Sequence, residues 1–222
     1  MVAVSARSSL TQRRKAATQL DIARAAAALF AEQGVEATTA EEIAERAGVA
    51  VRTFYRYFPT KQDAVEPLLT AGGGQWRSLL ESADAEQGVL AALEEAATRV
   101  LSVAPEQEAM LGWTRELLRA AGADAALRSV WQRVNRESEE LLRPALTRLA
   151  GDTASELEVR LAAAAATDSI RVALETWAAS EAGMSGPGCP ADLAVRCLRH
   201  FSGGVPLLRP TQSSQVEPTA TP

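Results

Sequence analysis

Residues Thr39 to Lys61 read TAEEIAERAGVAVRTFYRYFPTK, and few backbones suit that order of side chains. Thr39 is followed three residues later by Glu42, the reciprocal pair of a capping box, and Glu41 and Glu42 both suit the positive end of a helix. Ile43 and Ala47 recur one turn apart, so they share an inward face. Ala44 beside them is small enough for a second helix to cross closely. Gly48 ends the helix and admits the left-handed backbone of a tight turn. A second short helix, from about Val51 to Phe58, is stopped by Pro59. Val49, Phe54, Tyr57 and Phe58 supply apolar mass to close this pair onto a preceding helix. Val51, Arg52, Tyr55 and Arg56 are left pointing outward. The spacing predicts a helix-turn-helix, the geometry whose second helix enters the major groove of DNA.

The rest of the chain reads as helix as well. A first helix runs from about Thr11 to Gln33, with the stripe Ala16, Leu20, Ala23, Ala27 and Phe30 at helical spacing and Gly34 as its stop. Thr38 or Thr39 caps the next. A fourth helix starts near Thr60, and Pro67 and Gly72-Gly73-Gly74 interrupt it, which predicts a kink or hinge. Helical segments follow near 76–83, 87–103, 106–121, 124–150, 153–182 and 190–202. No segment alternates β-branched residues at period two, so the fold class is all-α. Residues 1–10 are expected to form a flexible arm, and 203–222, rich in Pro, Ser and Thr, a disordered tail.

Charge is divided unevenly. The chain has 23 basic and 28 acidic residues, a net charge of -5, which taken whole argues against nucleic-acid binding. Residues 1–62 nevertheless carry nine basic and six acidic side chains, leaving the remainder strongly acidic. With one His and two Cys, neither a metal cluster nor a disulfide scaffold is expected. No cofactor is implied. No apolar run reaches the ~20 residues that span a bilayer, and no signal peptide is visible, so no membrane partner and a cytoplasmic setting are expected.

The succession T-T-x-x-x-I-A-x-x-A-G-V and T-F-Y-x-Y-F-x-x-K after a first helix resembles the tetracycline-repressor (TetR) family of bacterial transcriptional regulators. The resemblance covers about 50 N-terminal residues and ceases to be specific after about Val65. It implies an N-terminal three-helix DNA-binding domain over residues 11–62. It implies a C-terminal helical domain over 63–202 that binds an effector and dimerises. Carried over by position, Thr39 caps the second helix and touches a phosphate. Tyr55, Tyr57 and Lys61 match phosphate-contacting positions, and Val51, Arg52 and Thr53 lie where base edges are read. Two departures stand out. Ala50 replaces the hydroxyl residue common at the start of the recognition helix, removing a cap of about 1 kcal/mol. Arg52 replaces the common Gly, and a bidentate Arg to guanine is the commonest specific base contact. Arg52 either reads a base or binds phosphate. Arg56 is either a DNA contact or a solvated charge, Tyr57 either core or phosphate ligand. The run Arg13-Arg14-Lys15 is either a solubilising tail or lies along the DNA backbone.

In the acidic body, Trp113, Trp131 and Trp177 are either core or pocket walls. Asp168, Arg171 and Glu175 share one helix face at i, i+3 and i+7, as a salt-bridged strip or as a polar anchor in an apolar pocket. Met110, Arg115 and Asn135 are further pocket candidates. The helices near 153–182 and 190–202 resemble the family's dimerising pair, with apolar positions that include Leu157, Leu161, Leu193 and Leu198. The expected partners are therefore an operator in double-stranded DNA, a small-molecule effector and a second copy of the chain. Cys189 and Cys197 are weak candidates for a redox sensor, since few basic groups lie near them. One rival reading is a helical ligand- or partner-binding protein that has lost specific DNA binding, for which Ala50 speaks. Another is an enzyme, but no nucleophile–base set is visible, and His200 has no partner motif.

Overall fold

The computed structural model describes residues 10–102, 105–152 and 154–203, with the side chains of 105–110 outside that description. The arm and tail expected at residues 1–10 and 203–222 therefore lie outside the described residues, apart from Leu10 and Gly203. Helix α1 spans Leu10–Gln33, α2 Ala40–Arg46 and α3 Val51–Tyr57, and a 3-10 turn at Asp63–Val65 leads into α4, Glu66–Ser82. A second 3-10 turn, Ala85–Gln87, precedes α5, Val89–Leu101. Then come α6 Pro105–Ala123, α7 Ala125–Ala150, α8 Glu156–Ala178 and α9 Pro190–Ser202. Among the described residues there is no strand.

The N-terminal unit closes around small and aromatic side chains. Gly34 and Gly48 both turn the chain with positive φ, 86° and 66°, where a Cβ would be strained. The Thr39–Glu42 capping box forms in both directions: Thr39 Oγ1 accepts from Glu42 N–H at 3.2 Å, and Thr39 N–H donates to Glu42 Oε2 at 2.8 Å. Ile22, Ile43, Ala44 and Phe54 are fully buried in one cluster. Phe54 holds α3 on that cluster, and Phe54→Ala removes roughly 3–5 kcal/mol. The α1 stripe starts later than its spacing predicts. Ala23, Ala27 and Phe30 are buried, Leu20 is half-buried and Ala16 is exposed, because the first turns of α1 extend beyond the helices it packs against.

Helix α4 differs from expectation. It starts at Glu66, not near Thr60, because Thr60 Oγ1 accepts from the Asp63 N–H and opens the 3-10 turn instead. Pro67 sits in its first turn, where a missing N–H costs no hydrogen bond. The helix then runs unbroken through Gly72-Gly73-Gly74 and includes the segment read separately as 76–83. The glycines permit close approach: a Cβ on Gly73 would lie 3.0 Å from Ser138 Oγ of α7, and one on Gly72 3.7 Å from Val100 Cγ1 of α5. Helix α8 stops at Ala178, four residues short of its expected end. There Arg115 and Arg119 of α6 gather the carbonyls of Trp177, Ala178, Ser180 and Ala182.

Helices α4 to α9 form a bundle in which α8 packs chiefly on α7 and α9. Side-chain ties join it to the N-terminal unit. Arg133 of α7 donates to Asp63 Oδ1 at 2.7 Å and Glu66 Oε2 at 2.9 Å. Gln62 donates to Asp124 Oδ2 at 3.4 Å.

Candidate nucleic-acid interface and ligand cavity

The outer face of α3 is polar and open. Arg52 and Arg56 are exposed, and Tyr55 is 53% exposed despite its aromatic ring. Buried Phe54 anchors the helix from behind, and its ring meets Tyr55 edge-on at 5.3 Å. Val51 and Thr53 are half-buried at the flanks of this face. Among the described residues the Arg52 guanidinium has no hydrogen bond or ion pair, so its donors remain available. Tyr57 is half-buried, and its hydroxyl accepts from Arg56 Nη2 at 3.3 Å while the Arg56 guanidinium lies 4.9 Å from its ring centroid. Lys15 reaches within 6.0 Å of the same ring, which brings the basic start of α1 beside α3.

Thr39 and Lys61 have structural work at the edge of this face. Thr39 uses its hydroxyl in the α2 cap, and the backbone N–H and hydroxyl of Thr39 hold the Glu42 carboxyl below the usual carboxylate range. Lys61 donates to the carbonyls of Glu36 and Thr38 at 3.2 and 2.7 Å. An ammonium has three donors, so one is left for an outside acceptor. Ala50 opens α3 with no side-chain hydrogen bond to its first turn.

A separate cavity of about 130 Å³ lies inside the helical body. Leu68, Leu69, Gly72, Gly73 and Trp76 of α4 form one wall. Trp131, Val134, Asn135 and Ser138 of α7 face them, with Thr167, Ile170 and Leu174 of α8 between. Of the sequence-level candidates, Trp131 and Asn135 line this space. Trp131 Nε1 donates to Glu175 Oε1 at 2.8 Å, so only its apolar body is offered to the cavity.

The other candidates stand elsewhere. Arg171 bridges Asp168 and Glu175 at 2.8 and 3.0 Å, a ladder on the partly exposed side of α8, while Thr167, Ile170 and Leu174 turn inward. Trp177 is fully buried, donates to Ala182 and Gly183 carbonyls, and carries the Arg115 guanidinium 4.1 Å from its ring centroid. Trp113 packs half-buried against the core. The Met110 side chain lies outside the described residues. Trp76 and Thr167 were not singled out from the sequence, because nothing local marks a Trp or Thr as facing a void.

The family model of bacterial regulatory proteins, tetR family, matches residues 22–66, which run from α1 through α3 to the start of α4. The HTH-type transcriptional regulator TcmR of Streptomyces glaucescens is 31% identical over 153 residues, 69% of this chain and 61% of TcmR. This chain belongs to the TetR family. Among further relatives, the HTH-type regulator YvkB of Bacillus subtilis is 39% identical over 69 residues, 31% of this chain and 36% of YvkB. The chain thus spans about three fifths of TcmR and about a third of YvkB. The TetR-family fold extends through the body. The crystal structure of NalD, the secondary repressor of the MexAB-OprM multidrug efflux pump in Pseudomonas aeruginosa, matches with a TM-score of 0.57. That match is at 21% identity, over 87% of this chain and 98% of NalD.

Both cysteines belong to α9, Cys189 as its N-cap and Cys197 within it. Cys189 is buried and caps α9 through Sγ, which accepts from Asp192 N–H. Burial pushes the Cys197 thiol up, against the opposing pull of Arg196. A raised thiol holds little thiolate. His200 Nδ1 donates to the Arg196 carbonyl at 2.7 Å. Among the described residues no helix is long and apolar enough to cross a membrane.

Proposed function

We propose that this chain is a ligand-responsive transcriptional regulator that represses by binding a pseudo-palindromic operator as a homodimer. In this reading residues 11–62 hold DNA and residues 63–202 bind the effector and a second copy. The observation that carries it is the outer face of α3. Arg52, Tyr55 and Arg56 project from a helix fixed by buried Phe54, the side chains that a recognition helix needs in a major groove. Arg52 reads a base edge. Tyr55, Tyr57 through its hydroxyl, the third donor of Lys61 and the Thr39 edge of α2 contact phosphates. Leu157 and Leu161, 66% and 48% exposed on α8, and Phe201, 42% exposed on α9, form the apolar surface that a second copy covers.

Release follows from the position of α4. One helix both walls the cavity and abuts the Asp63–Arg133 contact beside the N-terminal unit. An effector that fits one setting of α4 better than another shifts the population between DNA-competent and incompetent dimers. Leu111, Thr114, Trp131 and Asn135 complete the pocket from α6 and α7.

The test is a gel shift with DNA from upstream of the chain's own gene, followed by footprinting. The expected result is protection of two half-sites about one helical turn apart, abolished by excess of the same DNA and not by a scrambled sequence. Equal competition by scrambled DNA would overturn the reading in favour of a ligand-binding protein without specific DNA contact.

A further inference from the structure

We propose that the effector is a compact, uncharged molecule, apolar over most of its surface, that carries a carbonyl-type acceptor oxygen: a ketone, ester, lactone or quinone. The proposal deepens the regulatory reading above and rests on it in calling the occupant an effector.

Three observations converge. Among the described residues, none that lines the cavity is charged. A charge moved from water into such a site is strongly disfavoured without a partner, so the occupant is neutral. Two residues of the wall, Trp76 and Thr167, are 4% and 5% exposed, and Trp76 Nε1 and Thr167 Oγ1 are buried with no hydrogen-bond partner. Native structures leave few such atoms unpaired. An indole N–H is a donor only, so what it lacks is an acceptor. The Thr167 hydroxyl on α8 can donate as well. By contrast, Trp131 Nε1 on the facing helix is already satisfied by Glu175. Of the two indole N–H groups in the wall, the unmet one is therefore on α4, the helix whose position the effector must influence. Finally, the volume of about 130 Å³ is close to that of cavities of about 150 Å³ that take up one benzene ring.

Acetophenone, ethylbenzene and benzoate test each element of this description. They are similar in size and differ in the acceptor and in the charge. Calorimetric titration of the full chain is expected to show acetophenone binding about tenfold more tightly than ethylbenzene, one hydrogen bond's worth of affinity. Benzoate is expected to bind more weakly than either. Trp76→Phe keeps an aromatic ring and removes the N–H. It should erase the ketone's advantage while leaving ethylbenzene within about threefold of wild type. Thr167→Val should reduce the advantage in part, and it provides a second reading if Trp76→Phe lowers the melting temperature. Equal binding of ketone and hydrocarbon overturns the proposal. So do preference for benzoate, an advantage that survives Trp76→Phe, and no binding of any of the three. Operator binding measured on the same protein separates this from the regulatory reading. The predicted ranking without DNA binding leaves the cavity chemistry standing and removes the regulator. DNA binding with the wrong ranking does the reverse.

Discussion

The Lys61 ammonium closes the α1–α2 turn through the carbonyls of Glu36 and Thr38, and in the proposed DNA complex the same group meets a phosphate. The two duties make a joint prediction. Lys61→Ala should weaken binding to every DNA sequence alike, reduce its salt dependence by about one counterion, and lower the Tm of the free protein. Loss of DNA affinity with an unchanged Tm would remove the structural role. Ala50 offers the converse case. Ala50→Ser supplies the cap that α3 lacks and is expected to stabilise by about 1 kcal/mol, read as a raised Tm; an unchanged or lower Tm would show that the turn satisfies those N–H groups another way. The Thr39 cap, the Gly48 turn and the missing cap at Ala50 were legible because each depends on neighbours within four residues, whereas the Lys61 contacts, 23 and 25 residues away, were not. Asp168, Arg171 and Glu175 show where that legibility stops. Their spacing puts them on one face, but only the packing of α6 and α7 decides that Thr167, Ile170 and Leu174, not they, look inward.

At the scale of the element, α4 is the instructive case. A glycine triplet inside a helix costs roughly 1 kcal/mol per residue relative to alanine and reads locally as a break. The body overrides that preference: α7 comes so close to Gly73 that a Cβ there would lie 3.0 Å from Ser138 Oγ, while α5 packs on Gly72 at ordinary contact distance. Gly74 meets nothing within 4 Å. Gly74→Ala is therefore expected to stabilise by about 0.5–1 kcal/mol and leave effector-induced DNA release intact. A destabilised protein, or one whose release is uncoupled, would restore the hinge. The contact at the foot of α4 is pH-sensitive in a defined direction. Burial raises the Asp63 carboxyl, but hydrogen bonds from Thr60 and Arg133 outweigh it and hold the group below its ordinary value of 3.8. A lowered native value means that this stabilisation is fully present above that ordinary value and is lost as pH falls through the native one. In Arg133→Gln the loss of Tm on acidification below about pH 4 should be shallower than in wild type. An identical acid profile would show that Arg133 does not hold Asp63.

The whole molecule joins a basic head to an acidic body, and the sum of -5 conceals the head. A surplus of three positive charges over residues 1–62 is modest for DNA binding, so in the proposed homodimer affinity rests on two heads engaging together. Leu161→Glu places a charge on the exposed apolar strip of α8 and is expected to yield monomers by sedimentation, with operator affinity reduced by more than about tenfold. A dimer that persists would move the interface elsewhere. The all-α class and the N-terminal unit were readable from periodicity and motif. The cavity was not, because its wall is assembled from residues of α4, α5, α6, α7 and α8, which are distant in sequence. The central claim is that the exposed face of α3 reads base sequence. The most direct measurement is the ratio of operator to random-DNA affinity, taken across salt concentrations, for wild type and Arg52→Ala. Arg52→Ala is expected to lower this ratio by a factor equivalent to roughly 1–3 kcal/mol, while its random-DNA affinity stays close to that of wild type. An unchanged ratio, or equal loss on both DNAs, would contradict it.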